Sequence, residues 1–511
     1  MDNHNLYARL AAQFPADPAA VAIETETGAY TYADIEHASA CLANLLASLG
    51  LPPGARVAAQ VEKSPEALLL YLATLRAGLV YLPLNTAYRA SELTYFIQDA
   101  TPAVLVCASA NLPLIQQALD QAGAQATLFT LDDDRTGSLL TQAAALAQTF
   151  HTVQQQGSEL AAILYTSGTT GRSKGAMLSH DNLYANAATL KAYWHWRSDD
   201  VLLHMLPIFH VHGLFVGANG ALLAGARMLW LPRLDIDQAL AWLPRATVMM
   251  GVPTYYVRLL ADPRFDAERC KQIRLFISGS APLLADTFDQ FLARTGKPIL
   301  ERYGMSETNM LASNPYLEQD GPRLAGTVGR ALPGVDIRIA DDADQVLATG
   351  AIGHIQVRGP NVFSGYWQMP EKTEESFTAD GWFRTGDVGR FGSSDGSVPA
   401  AYLSIVGRSK DLIITGGYNV YPKEIELELD TLPGVMESAV FGVPHADFGE
   451  AVMAVVVARS EGDAPDTTAL LMALKLRLAN YKVPKRIDVI DALPRNTMGK
   501  VQKNLLRERY A

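Results

Sequence analysis

Short apolar runs alternate with longer amphipathic stretches through the first part of the chain, the pattern of strands feeding helices. Residues 58–61, 79–84 and 103–107 read as strands bounded by Gly, Pro or charge. Thr31-Tyr32-Ala33-Asp34 has the form of a capped helix start, and Leu42, Leu45, Leu46 and Leu49 continue one apolar face. Residues 67–75 form a more apolar helix, stopped by Arg76, Gly78 and Pro83 and too short to span a bilayer. From Ile115 to Glu159 the chain turns rich in Ala, Gln and Asp, and a variable surface region is expected there. Strands resume at residues 160–164, 228–231, 248–252 and 274–278, which makes the fold class α/β. Between Val328 and Gly407, Gly and Pro become dense and the strands short, so a β-rich subdomain is expected. The polar segment Gly407-Arg408-Ser409-Lys410-Asp411 lies between two apolar strands and marks a boundary, giving domains 1–408 and 409–511, the second a small α+β unit.

The chain has 511 residues, too many for one ordinary core, with 49% hydrophobic and 19% charged residues. Its net charge of −11 argues against a nucleic-acid partner, so any bound anion has to be held by a few local cations. Cys41, Cys107 and Cys270 are scattered, without disulfide or zinc spacing. The N-terminus has neither the basic start nor the apolar core of a signal peptide, and a soluble, cytoplasmic protein is expected.

The richest chemistry follows the apolar run at 160–164. Thr166-Ser167-Gly168-Thr169-Thr170-Gly171-Arg172-Ser173-Lys174 gathers hydroxyls, glycines and a lysine into one loop. Glycines let the backbone approach a polyanion, hydroxyls donate to it and Lys174 adds a positive charge. The composition suits a triphosphate, but the lysine is flanked by Ser173 and Gly175, so it is not a Walker A loop. Four more motifs follow in order: Arg302-Tyr303-Gly304-Met305-Ser306-Glu307, Thr385-Gly386-Asp387, the 407–411 segment, and Pro494-Arg495-Asn496-Thr497-Met498-Gly499-Lys500.

Together these motifs resemble the adenylate-forming superfamily of acyl- and aryl-CoA synthetases, luciferases and adenylation domains, over residues 31–503. The wording of residues 301–307 and 494–500 is most similar to malonyl-CoA synthetases. The resemblance implies a large N-terminal domain of two sheets flanked by helices plus a distorted β-barrel, and a mobile C-terminal domain. It implies an AMP-forming acid–thiol ligase that consumes ATP and coenzyme A with Mg²⁺. Thr166, Ser167, Gly168, Thr169, Thr170, Gly171 and Lys174 would cradle the phosphates; Tyr303 would stack on adenine, and Gly304 and Ser306 would complete the nucleotide site. Asp387 and Arg408 would hold the ribose, and Glu307 the metal. Lys500 would catalyse adenylation, Lys410 would be the hinge, and Gly416 and Gly417 would border the coenzyme A channel. His210 falls where the family has a gate to the acyl pocket, with a packed structural histidine as the alternative.

Malonate would need a cation for its second carboxylate. Arg302 and Arg258 are the candidates, with Arg172 a weaker third. If 302–304 is a strand, Arg302 and Gly304 face one side and Tyr303 the other. A synthetase for another small or medium acid, or a catalytically silent nucleotide binder, are the alternatives. The same resemblance, since acetylation of this lysine is a control device among acyl-CoA synthetases, implies a lysine acetyltransferase acting on Lys500 as a further expected partner; acetylation would delete its charge.

Overall fold

A computed structural model of the chain describes residues 3–166, 173–415, 418–445, 448–460, 464–496 and 499–511. Ser167, Gly168, Thr169, Thr170, Gly171 and Arg172 of the phosphate loop, Gly416 and Gly417, and Thr497 and Met498 lie outside them. The chain divides into two compact units. The first runs to Ala325 and adds Gly329–Asp336 and Arg358–Gly381; the second comprises Gly326–Val328, Ile337–Val357 and Trp382–Ala511.

The first unit contains two sheets. A six-stranded sheet has the order Thr127–Thr130, Val104–Cys107, Arg56–Gln60, Val80–Pro83, Leu160–Thr166, Lys174–Ser179, parallel except for the last pair. Its strands are short and wholly apolar at Val80–Pro83 and Val104–Cys107, as expected where helices cover both faces. Helix Pro65–Arg76, capped by the Ser64 hydroxyl, is buried along its whole length. Helix Tyr32–Ser48 begins at Thr31 with a reciprocal capping box to Asp34, as its sequence predicts. Residues 115–159 depart from the expected surface region: most of helix Leu112–Ala122 and all of strand Thr127–Thr130 fall in this part of the chain, and Ile115, Leu119 and Phe129 are buried. Their apolar positions are sparse, so composition masked the pattern.

The second sheet of this unit has nine strands, with Val201–His204, Val248–Gly251, Leu275–Ser278 and Ile299–Met305 at its parallel centre. Asp200, Thr247 and Arg274 each immediately precede one of three of these strands. The Asp200 side chain is fully buried and accepts from Arg274 Nε at 2.8 Å, Arg274 Nη2 at 2.5 Å and Thr247 Oγ1 at 2.7 Å. Burial pushes this carboxyl up, but the hydrogen bonds from Arg274 and Thr247 outweigh it and hold the group below its usual range. The strand starts are thereby locked in register, which fixes where their far ends open.

The second unit contains a four-stranded sheet, Asp336–Ala340, Gly353–Arg358, Phe383–Phe391 and Leu403–Arg408, in the stretch where a β-rich subdomain is expected. Beyond it, a five-stranded sheet packs one face on helices Pro422–Asp430 and Thr467–Arg477 through Ile425, Leu429, Leu470 and Leu474. Its other face, with Phe441, Met453 and Val455, is covered by Leu493 and by Leu506 of helix Lys503–Tyr510. Among the described residues no helix is long and apolar enough to cross a membrane.

Replacing Arg274 with Met should leave Asp200 buried and unpaired. The expected cost is about 3–5 kcal/mol in urea unfolding, and the gap to wild type should narrow in acid as Asp200 protonates. An unchanged midpoint would show that the clamp does not hold the sheet.

Candidate functional site

Strands Leu160–Thr166 and Lys174–Ser179 form an antiparallel hairpin whose last pair is Thr166 with Lys174. The phosphate loop is therefore the connection of a hairpin, and its two described ends are held side by side. Residues 364–367 extend this hairpin: Trp367 N donates to Gly175 O at 2.7 Å and Met177 N to Gly365 O at 3.0 Å. Lys174 Nζ consequently stands 4.5 Å from the centre of the Tyr366 ring. The Tyr366 hydroxyl donates to Glu307 Oε1 at 3.1 Å, and Thr166 Oγ1 donates to the same oxygen at 3.3 Å. Burial first, and then the Glu307 charge, push the Tyr366 hydroxyl above its usual range.

Glu307 is buried in the turn after strand Ile299–Met305, and its own carbonyl accepts from Phe363 N at 2.8 Å. Thr166, Lys174, Glu307 and Tyr366 are thus assembled in one place. A carboxylate beside a hydroxyl at the mouth of a phosphate loop fits Mg²⁺, which takes one or two protein oxygens and completes its shell with phosphate and water. No cluster of three or more acidic, His or Cys ligands occurs among the described residues. Tyr303 and Ser306 are half-buried nearby on the same strand and turn. Gly304 is required for space, since a Cβ there would lie 2.0 Å from Asn309 O. Strand Asn309–Ser313 skips Leu311 between the Tyr303 and Gly304 pairs, a bulge at the nucleotide edge.

On that strand Arg302 is buried, 3% exposed, and its Nε and Nη2 have no hydrogen-bond partner. Among the described residues no carboxylate is in ion-pair contact with it. Its guanidinium lies against Gly279, where a Cβ would fall 2.4 Å from Cζ. Burial pulls Arg302 down to about 9, while Tyr256 and Glu301 favour its charge. His212 faces the same group: burial and then the Arg302 charge hold it well below its usual value, and its Nδ1 is 3.3 Å from Ser280 Oγ. His210 is half-buried, and its Nδ1 accepts from His212 N at 3.3 Å. Arg258 differs sharply from Arg302. It sits on helix Pro253–Ala261 as expected, but it is exposed, and its charge is felt by Tyr255.

In the second unit Asp387 and Arg408 are paired across adjacent strands, Arg408 Nε lying 3.0 Å from Asp387 Oδ1. Gly386 takes a left-handed φ of +74° just before Asp387, and its carbonyl accepts from Ser409 Oγ at 3.0 Å. Lys410 is exposed in a single turn of 3₁₀ helix, Ser409–Asp411. Lys500 is drawn into the same neighbourhood: burial, then Arg408, lower it to about 8 against the raising effect of Asp387. Its loop is braced on both sides. Arg495 pairs with Glu437 and donates to Gly499 O at 2.6 Å, Lys500 N donates to Asn496 Oδ1 at 2.9 Å, and Lys503 pairs with Glu426 at 2.5 Å. Arg507 of the following helix reaches Asp411 at 2.9 Å.

Tyr366, His212 and Gly279 lie beside candidate site residues and outside the sequence motifs, while Arg495 lies within one of them but carried no assigned role. Gly365-Tyr366-Trp367 and Ser278-Gly279-Ser280 carried a signal, an aromatic or a serine pair set on glycine inside a punctuated stretch. His212 lay within a segment already singled out for His210.

This is the architecture of an enzyme that binds a nucleotide against a hairpin loop and carries a lysine on a separate unit. The chain belongs to the AMP-binding enzyme family, which matches residues 7–367, with the family's C-terminal domain matching 424–500. It is 35% identical to the mitochondrial malonate–CoA ligase ACSF3 of Mus musculus, over 96% of this chain and 88% of that one. It is also 35% identical to a feruloyl-CoA synthase of Amycolatopsis, over 96% of each. Among solved structures it resembles the ATP-bound MatB of Rhodopseudomonas palustris at 55% identity, TM-score 0.95, covering 100% of this chain and 99% of that one.

Proposed function

We propose that this chain is an AMP-forming malonate–CoA ligase. Malonate attacks the α-phosphorus of ATP, pyrophosphate leaves, and coenzyme A displaces AMP from the malonyl-adenylate to give malonyl-CoA. Relatives at 34–35% identity include malonate–CoA ligases and a feruloyl-CoA synthase, so the acid has to be chosen by the site. Arg302 is the observation that chooses it. A buried, unpaired guanidinium is costly unless a ligand supplies the anion, and an aryl or fatty acid has none to give. A dicarboxylate offers one carboxylate to chemistry and the other to Arg302. Methylmalonate differs by one methyl, worth roughly 1–3 kcal/mol of discrimination, and is the natural second substrate to test.

In this mechanism Lys174, Thr166 and the intervening loop hold the β- and γ-phosphates. Tyr366 orients Glu307, which would hold Mg²⁺; bound there, the ion neutralises phosphate charge. Tyr303, Gly304 and Ser306 contact the base and phosphate side of the nucleotide, and Asp387 with Arg408 the ribose. Lys500 stabilises the charge that develops as two anions meet. The C-terminal domain, residues 409–511, then turns about Lys410 so that coenzyme A enters past Gly416 and Gly417. His210 gates the acyl pocket. Arg258, being exposed, supports malonate from a distance rather than by a sealed contact. Acetylation of Lys500 by a lysine acetyltransferase would remove the adenylation charge.

Coenzyme A-dependent AMP release is expected with malonate, and weakly or not at all with acetate, ferulate, benzoate and longer fatty acids; preference for a monocarboxylate would refute the assignment. Arg302→Ala should raise the malonate KM by more than about tenfold with the ATP KM little changed, and Arg258→Ala should do less. Equal effects on both substrates would remove Arg302 from the acyl site. Lys500→Ala should abolish ATP–pyrophosphate exchange but not ATP binding, whereas Lys410→Pro should spare exchange and block thioester formation.

Lys500 also sets a pH dependence. The ammonium is the active form, so adenylation kcat/KM should be full below its value of about 8 and fall as pH rises through it. Lys500→Arg should lower the rate and abolish that alkaline limb. A limb that persists in Lys500→Arg belongs to another group.

A further inference from the structure

The first unit holds another buried cation that no motif marks. Lys63 lies between strand Arg56–Gln60 and helix Pro65–Arg76 and is 8% exposed. Its Nζ is 2.9 Å from His204 Nδ1, 2.8 Å from His204 O and 2.6 Å from Leu231 O. It also stands 4.4 Å from the centre of the Trp230 ring, on which the His204 ring stacks at 4.5 Å. An ammonium has three protons, and three acceptors are present.

That saturation decides the chemistry of His204. With Lys63 donating to Nδ1, the proton of the neutral imidazole must sit on Nε2. Nε2 is 2.9 Å from Gly213 O and donates to it. A neutral amine on Lys63 would have only two protons for three acceptors. Reversing the imidazole to satisfy it would set a bare Nε2 against a carbonyl. Burial pushes His204 well below its usual range and the Lys63 charge pushes it further, which keeps the ring neutral as this relay requires.

Gly213 belongs to a π-helical turn, His212–Ala218. The turn is moulded closely: a Cβ at Gly213 would lie 2.1 Å from Pro207 O, and one at Gly217 would lie 3.1 Å from His204 Nε2. Its first residue, His212, is the ring that faces Arg302 and Ser280.

We propose that Lys63 is a positioning residue for recognition of the acid. By fixing His204 as its Nε2–H tautomer it pins the Gly213 carbonyl, and so holds His212 in place beside the Arg302 guanidinium. The proposal rests on the malonate assignment only for the identity of the acid.

The test compares Lys63→Met, His204→Gln, His204→Phe and the double variant Lys63→Met/His204→Gln, with the melting temperature of each recorded. Wild type is assayed first. Failure with malonate would refute the function assigned above, and the series would then be followed with whichever acid wild type adenylates. Lys63→Met should raise the KM for the acid by roughly tenfold, the scale of one lost buried hydrogen bond, with the ATP KM within about twofold. In His204→Gln the carboxamide N–H can donate to Gly213 without help from Lys63. That variant should stay near wild type, and the double variant should recover most of the loss seen in Lys63→Met. His204→Phe cannot donate and should resemble Lys63→Met. The proposal is overturned if Lys63→Met is unchanged, if the KM values for acid and ATP rise together, or if the double variant shows no recovery. Should Lys63→Met not fold, His204→Gln against His204→Phe decides alone: equal acid KM values overturn the proposal.

Discussion

On the proposed function, acid recognition depends on Arg302, a guanidinium sealed away from water with no carboxylate among the described residues in ion-pair contact with it. Removing a charge from water costs several kcal/mol, and a fold usually recovers that cost by pairing the ion internally. Arg302 is instead set against Gly279 and faced by His212, a ring that burial keeps neutral. A protonated histidine there would repel the guanidinium, and a carboxylate would satisfy it permanently and close the site. On the proposed function the acid supplies the missing charge, and a folding penalty becomes a basis for selecting an acid with a second anionic group.

The elements that place this charge are ordinary. Three parallel strands start from the Asp200–Thr247–Arg274 clamp, so their carboxyl ends open at a common level, and binding in such sheets occurs outside the carboxyl ends. Ser278-Gly279-Ser280, Gly251 and Arg302 lie at or beyond those ends. Lys500, the proposed adenylation lysine, lies in the other unit, flanked by the ion pairs Arg495–Glu437 and Lys503–Glu426. Such bracing fits a side chain that must be presented as a rigid point charge. A free lysine would spend its interaction energy on being ordered.

Much of this was legible along the chain, because adjacent residues carried it. Apolar runs located the central strands to within a residue or two, and the Thr31 cap located a helix start. Lys174, Glu307, Asp387 and Lys500 stood out because each is embedded in a local motif. What stayed hidden was whatever depends on distant pairing. The helix and strand within residues 112–130 were obscured by Ala and Gln, since sparse apolar positions still suffice when a neighbouring strand supplies the rest of the core. Arg302 and Arg258 looked equivalent in sequence, and only tertiary burial separates the sealed cation from the exposed one. Lys63 gave no signal at all, because its imidazole partner lies 141 positions away.

Lys63 and Arg302 show what burial alone does not tell about a cation. Both are nine-tenths or more buried, and for both burial disfavours the charged form. Lys63 finds an acceptor for each proton and an aromatic face besides, so its donors are satisfied inside the protein. Arg302 has a planar fork of five donors, and its Nε and Nη2 remain without a partner. Lysine suits the first position because a compact head with three donors can be saturated by backbone and imidazole alone. Arginine suits the second because its planar fork matches a carboxylate in two-pronged fashion. The count of donors against acceptors thus separates a cation satisfied within the protein from one whose donors remain open, as the roles proposed for Lys63 and Arg302 require.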